Sequence, residues 1–321
     1  MDEFALIQRF FASHPVARRD VVLGIGDDAA LLQVPAGHEL VVSTDVFAAG
    51  VHFPEHTDPE AVGHKALAVN LSDLAAMGAD PAWFTLNLSL PESDEPWLTA
   101  FARGLFRLAD EYGVALVGGD TTRSRQIVIG IQIMGHAPAG MALRRRGARA
   151  GDGIYVTGEL GAAAVALEFL EDRMPVDRKY HAAIRERLDR PMPRVREGRA
   201  LRGIASACID LSDGLVADLG HILEASGVGA RVLLANIPLA PVLQEPQVFR
   251  LAGWEAAIAG GDDYELCFTV PPEREANLQE CARRWKCGLR RIGRIEAEPG
   301  LRLIDPTGHP YTAQAQGYAH F

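Results

Sequence analysis

Aspartate recurs in this chain at places where a fold has little use for it. Residues Gly24–Ala30 read GIGDDAA directly behind the apolar run Val21-Val22-Leu23, so Asp27 and Asp28 leave a strand-like segment side by side. Asp45 closes VVSTD, Asp120 closes LVGGD, Asp210 and Asp213 close CIDLSD, and Asp262-Asp263 follow IAGG. Taken singly, each reads as well as a turn former or a helix N-cap. Taken together, carboxylates at the strand ends of an α/β sheet would converge on one cleft. Several of them cannot ionise in one place without cations. Oxygen donors with no Cys or His cluster nearby select Mg2+ over zinc, and Mg2+ commonly takes substrate phosphates as further ligands. The chemistry implied is a multi-magnesium, nucleotide-using site.

Asp73 stands apart, because the pattern around it predicts a helix, where Asp is a poor choice. Asn70, one turn earlier, shares its face, and a solvated helix face is the competing reading. Other phosphate signatures are weak. No G-x-x-x-x-G-K-[ST] loop occurs, and Lys65, Lys179 and Lys286 are the only lysines. GELG at 158–161 lacks the full dinucleotide fingerprint and reads as close helix–strand packing. Charge on a nucleotide would be met by metal and by arginine, with Arg145 or a neighbour in the run Arg144-Arg145-Arg146 as candidate. His52, in AAGVHF, lies close enough behind Asp45 to reach the same cleft, although its spacing marks no metal site.

These residues need elements to carry them. ELVVSTDV (39–46) predicts a strand and 58–81 a helix, with Asp58 as N-cap, Pro59 in the first turn and Gly78 with Pro81 at the end. A strand over 82–90, an amphipathic helix over 95–113 closed by Gly113, and strands at 114–119 and 127–135 follow. The segment 138–150, rich in Gly, Pro and Arg, is the best domain boundary, and 151–170 and 207–227 each read as strand, glycine turn and helix. Leu71-Ser72-Asp73 and Leu211-Ser212-Asp213 echo each other across the halves. The class expected is α/β or α+β in two domains, since 321 residues exceed one ordinary core.

Composition narrows the partners. A net charge of −10 argues against nucleic acid. No apolar stretch approaches the roughly 20 residues that span a bilayer. MDEFALIQRFF opens with acids where a signal peptide carries basic residues, so a cytoplasmic protein without membrane attachment is expected. Cys208, Cys267, Cys281 and Cys287 form no C-x-x-C pair and read as reduced thiols.

GIGDDAALL, STDVFAAGVHF, KALAVNLSDLAAMGADP, LVGGDTTR, IDLSDGLVADLGHI, GGDDYELCFTV and the closing GYAHF occur in order along the chain. Together they resemble the thiamine-monophosphate kinase family, within the superfamily of ATP-using enzymes that includes aminoimidazole ribonucleotide synthetase and selenophosphate synthetase. The resemblance implies phosphorylation of thiamine monophosphate by ATP to thiamine diphosphate, and a two-domain aminoimidazole-ribonucleotide-synthetase-like fold. An N-terminal ATP/Mg-binding domain (1–137) would pair through its sheet in a homodimer, and a C-terminal α/β domain (148–321) would follow. It also implies several Mg2+ ions held at Asp28, Ser43, Thr44, Asp45, Asp73, Asp120, Asp210 and Asp213. Gly119, Asp120, Arg145 and Ser212 match nucleotide-binding positions, and His52, Asp262 and Tyr318 match positions that contact the thiamine substrate.

Four rivals are weighed against it. Selenophosphate synthetase would need a reactive Cys or selenocysteine early in the chain, and none precedes Cys208; the hydrogenase-maturation relative would need a C-terminal Cys where Phe321 stands. Aminoimidazole ribonucleotide synthetase fits on fold, but the C-terminal motifs do not resemble it. A non-catalytic nucleotide- or metal-binding regulator would not need so many matched carboxylates.

Overall fold

The computed structural model describes residues 3–15, 18–315 and 317, and it divides into two compact units. One comprises Met1–Leu74 with Ala79–Gly140, the other Ala75–Gly78 with Met141–Phe321. The first contains α1 (Glu3–Ile7), β1 (Val21–Leu23), β2 (Leu31–Leu32), β3 (His38–Ala48), α2 (Pro59–Ala76), β4 (Asp80–Leu90), α3 (Glu95–Tyr112), β5 (Ala115–Arg123) and β6 (Val128–Pro138). Its four-stranded sheet runs β3-β6-β4-β5. The β3–β6 and β6–β4 pairs are antiparallel. β4 and β5 are parallel, because α3 carries the chain back between them.

The strands extend further than sequence pattern suggests. β3 pairs with β6 from His38↔Pro138 to Ala48↔Val128, and β5 follows β4 as far as Arg123. Asp45 and Asp120 therefore sit within strands rather than at their ends. Pro81 is the second residue of β4 and not a helix stop; Gly78, with φ 61°, turns the chain after α2.

The helix α3 is amphipathic as expected. Asp94 caps it by accepting the Trp97 N–H at 3.2 Å, Pro96 sits in its first turn, and Gly113 ends it at φ 64°. By contrast, α2 is buried all round: from Ala61 to Ala76 every residue is buried except Asp73. Its crossing with α3 leaves no room for side chains. A Cβ on Gly63 would meet the Phe101 carbonyl, and one on Gly104 would meet the Glu60 carbonyl.

In the second unit come β7 (Gly153–Thr157), α4 (Ala162–Leu170), α5 (Arg178–Asp189), α6 (Val195–Ala200), β8 (Ala207–Asp210), α7 (Leu215–Ser226) and β9 (Gly229–Leu233). They are followed by α8 (Pro246–Ala252), α9 (Glu255–Ile258), β10 (Leu266–Val270), α10 (Glu275–Ala282), β11 (Leu289–Glu296), β12 (Gly300–Ile304) and β13 (Pro310–Tyr311). The seven-stranded sheet runs β13-β12-β9-β11-β7-β10-β8, and only β9–β12 is parallel. Ile154, Val156, Ile209, Leu219, Cys267 and Ile292 belong to the core between this sheet and its helices. With so few parallel pairs the fold is α+β. The rule that gathers ligands at the ends of parallel strands therefore does not by itself bring the acids together.

All four cysteines are free. Burial pushes the Cys208 and Cys267 thiols up, which keeps them neutral. Among the described residues no helix is long and apolar enough to cross a membrane.

Candidate active site

In the first unit, strand period sorts the acids. Val41, Ser43 and Asp45 lie on the half-buried face of β3, while Leu40, Val42, Thr44 and Val46 lie on the exposed face. The Ser43 hydroxyl donates a short hydrogen bond to Asp73 Oδ2. Asp73 thus looks at β3 from the middle of α2, which removes the solvated-face reading. Burial, and then the nearby charge of Asp73, pushes the Asp45 carboxyl up to about 7. One turn before Asp73, Asn70 is 0% exposed; its Nδ2 donates to the Ala66 carbonyl at 2.9 Å and its Oδ1 has no partner. Two acids that oppose each other's ionisation, with a hydroxyl beside one of them, are hard oxygen donors of the kind Mg2+ takes.

Thr44 points the other way, its hydroxyl donating to the Ile131 carbonyl at 3.0 Å, so any ligand it supplied beside Ser43 would be a main-chain oxygen. Asp28 is exposed, and its N–H donates to Asp27 Oδ1 at 2.8 Å. The turn that presents it uses Gly26 at φ 123°. Gly119 and Asp120 are exposed on β5, with Asp120 opposite Asn87. Gly119, at φ 149°, lies where a Cβ would run into the Leu86 carbonyl. His52 is held by its Nδ1, which accepts the Ala48 N–H at 3.1 Å, and by stacking on Phe47.

The second unit brings two loops together. The Leu211 N–H donates to the Glu265 carbonyl, the Tyr264 N–H to the Leu211 carbonyl and the Asp262 N–H to the Ser212 carbonyl, each at 2.8 Å. Gly261 packs against Ser212 and Asp213 so closely that a Cβ would stand 2.7 Å from the Ser212 oxygen. Ser212, Asp213 and Asp262 are therefore neighbours, with buried Asp210 at the end of β8 just before them. Asp218, in the first turn of α7, accepts the N–H groups of Asp213 and Gly214 at 3.1 Å. Burial, and then Asp213, raises the Asp218 carboxyl to about 7, while Arg145 pulls it down. Arg145 is exposed, and the adjacent Arg144 carbonyl accepts the Cys208 N–H at 2.9 Å, which ties the arginine run beside β8. Tyr318 lies outside the described residues.

Behind these loops is a charged cluster that spacing alone does not reveal. Glu265 is 0% exposed, and its carboxylate accepts from Arg194 Nε at 2.6 Å, Arg187 Nη2 at 2.7 Å and Thr157 Oγ1 at 2.7 Å. Burial alone would raise it, but the two arginines outweigh burial and hold its carboxyl below the usual range. Buried Asp263 accepts the Gly161 N–H with both oxygens, at 2.9 and 3.1 Å. The GELG segment packs closely, but at Gly158 against a side chain rather than helix on strand: a Cβ there would overlap the Glu265 carboxylate. Asp218 left a trace in sequence, as an acid in a helix's first turn; Arg187 and Arg194 left none. Among the described residues, no three Asp, Glu, His or Cys side chains stand close enough to chelate a metal by themselves.

Residues 26–137 match the family described as AIR synthase related protein, N-terminal domain, and residues 149–306 match its C-terminal domain. The chain belongs to that family of two-domain proteins. Its sequence is 48% identical to a thiamine-monophosphate kinase of Salmonella typhimurium, over 99% of this chain and 98% of that one. The crystal structure of a thiamine-monophosphate kinase from Stenotrophomonas maltophilia superposes with a TM-score of 0.86 at 47% identity, covering 94% of this chain and 96% of that chain. A structure described as AaThiL complexed with AMPPCP and TMP matches with a TM-score of 0.78 at 33% identity, over 99% of this chain and 97% of that one. Within the larger family, the chain is a member of the thiamine-monophosphate kinases.

Proposed function

We infer that this chain phosphorylates thiamine monophosphate with ATP, releasing thiamine diphosphate and ADP. One observation carries the reading: near-half identity to thiamine-monophosphate kinases along essentially the whole length of both proteins. The neighbour complexed with AMPPCP and TMP supports an ATP-like nucleotide as the co-substrate.

In this reading Asp28, Ser43, Thr44, Asp45, Asp73 and Asp120 of the first unit, with Asp210 and Asp213 of the second, hold Mg2+. Gly119, Asp120, Arg145 and Ser212 bind the nucleotide, and His52, Asp262 and Tyr318 contact the acceptor. Bound Mg2+ supplies neutralisation of phosphate charge and alignment of the reacting oxygens. Because Nδ1 of His52 accepts a backbone N–H, the neutral ring carries its proton on Nε2 and acts as a donor. The acceptor is a phosphate monoester, ionised at neutral pH by a second pKa near 6, so no general base is required. Transfer is direct and in line, since carboxylates engaged with cations are poor nucleophiles. Rapid ADP–ATP isotope exchange without acceptor would defeat that step.

The reading includes a homodimer. Edge strand β3 exposes Leu40 at 50%, Val42 at 47% and Val46 at 57%, an apolar face suited to a second copy. Sedimentation at micromolar protein is expected to give twice the 34.7 kDa chain mass; a clean monomer removes the claim. The cytoplasm, which holds ATP and Mg2+, is the compartment proposed. Phosphorus NMR of ATP, Mg2+ and thiamine monophosphate with the protein tests the activity. New diphosphate-ester signals beside ADP are expected; untouched ATP would favour a non-catalytic binder.

A further inference from the structure

The turn 261–264 is built against its own backbone preference. Asp262 and Tyr264 adopt φ values of 61° and 50°, left-handed conformations that non-glycine residues avoid, and Gly261 beside them has φ 67°. From Gly261 to Val270 every residue is buried except Asp262, which is half-exposed. One carboxylate is thus pushed outward from a run that is otherwise internal. Such strain persists only when the surroundings over-determine it. Two anchors do so here. Asp263 points inward and takes the Gly161 N–H with both oxygens, and Glu265 is clamped by Arg187, Arg194 and Thr157. They flank Tyr264, so the chain at 263 and 265 is fixed from behind while 262 and 264 bond forward to Ser212 and Leu211.

We propose that Asp263, backed by Glu265, is a positioning residue: its bond to the Gly161 N–H holds the left-handed turn that presents Asp262 to the acceptor. The proposal rests on the reading of Asp262 as an acceptor contact. A purely structural role would spread damage over stability and turnover alike. Positioning instead predicts a loss confined to acceptor recognition, because the Asp263 carboxylate is buried and turned inward to the Gly161 N–H.

The test compares Asp263→Ala, Asp263→Asn and Asp262→Ala in the full-length enzyme. Two readouts are taken: hydrogen exchange of the backbone amides at 262 and 264 without ligand, and steady-state kinetics with each substrate varied. D263A is expected to speed exchange about tenfold and to raise KM for thiamine monophosphate about tenfold, with kcat within about threefold of the parent. D263N keeps an acceptor oxygen for Gly161 and is expected to stay within about threefold on both readouts. Unchanged exchange in D263A overturns the proposal. So does faster exchange with an unchanged acceptor KM when D262A does raise it. If D262A also leaves that KM unchanged while D263A speeds exchange, the acceptor reading of Asp262 fails and the pinning of the turn stands. Should D263A not fold, Asp263→Glu carries the same comparison, since its extra methylene displaces the carboxylate from the Gly161 N–H.

Discussion

Leu-Ser-Asp occurs at 71–73 and again at 211–213, and the two copies present their acids from opposite kinds of backbone. The first lies inside α2, where Ser72 is fully buried and Asp73 alone between Ala61 and Ala76 is partly open, facing Ser43. The second lies in the loop after β8, where the Ser212 carbonyl and the Asp213 N–H are both held by residues of other segments, Asp262 and Asp218. In the helix, position is inherited from a long packed element, and the penalty is electrostatic: Asp73 and Asp45 oppose each other's charge. In the loop, position is assembled from distant hydrogen bonds, and the penalty is conformational strain at 262 and 264. Damage at the first should therefore fall on activity, whereas behind the second it is the buried Glu265–Arg194 pair whose loss falls on stability.

The sharpest break in this contrast is Asp73→Asn. A neutral amide binds Mg2+ far more weakly, so kcat should fall on the order of 10²–10³-fold. The Ser43 hydroxyl can still donate to the amide oxygen, so the melting temperature should move by no more than about 2 °C. A large loss of stability instead would make Asp73 a fold residue. Next comes Arg194→Met. Removing one partner of a buried pair should cost about 3 kcal/mol by urea unfolding, whatever it does to rate. A loss below about 1 kcal/mol would mean that Arg187 suffices for Glu265.

The pH dependence of the metal-free protein reads the electrostatic penalty, to which Asp218 beside the loop contributes as Asp45 does. Asp45 and Asp218 both titrate near 7 in the folded chain, against an ordinary value of 3.8. Between those values the folded protein holds protons that the unfolded chain has released. Its stability therefore falls as pH rises from about 4 to about 7 and levels off above. Asp45→Asn should flatten part of that slope and raise the melting temperature at pH 8 by about 2–4 °C. An identical slope in the variant would place Asp45 among ordinary carboxylates. Ser43→Ala is the mildest test: one half-exposed hydroxyl is lost, and stability should change by less than about 1 kcal/mol.

Much of the helical side of this comparison was legible in advance. An aspartate in the middle of an apolar helix is a local anomaly, and local anomalies can be read along a chain; so can the stop at Gly113. Strand ends were read less well, because the extension of β3 to Ala48 and of β5 to Arg123 depends on their partners β6 and β4. The second cluster was hidden almost entirely. Asp262 was visible as a motif residue, but Arg187 and Arg194 reach Glu265 across 78 and 71 residues of sequence, and no spacing rule connects them. Thr44 shows a subtler limit. A motif aligns consecutive residues as one unit, whereas a strand turns every second one to the opposite face.

The strand ladders also set a timetable for synthesis. All of β3, β4, β5 and β6 lies within the first 138 residues, so that sheet can close while the rest of the chain is still being translated. β7 has no such luck: Gly153 pairs with Val270 of β10 and Arg294 of β11. At 5–20 residues per second, the nascent chain waits roughly ten seconds between making that strand and making its last neighbour. During that interval Gly-Ile-Tyr-Val-Thr, buried at every position in the finished protein, trails the ribosome with both edges bare. Until those neighbours are made, the stretch carries the unpaired strand edges and exposed apolar side chains that make a folding intermediate prone to aggregate.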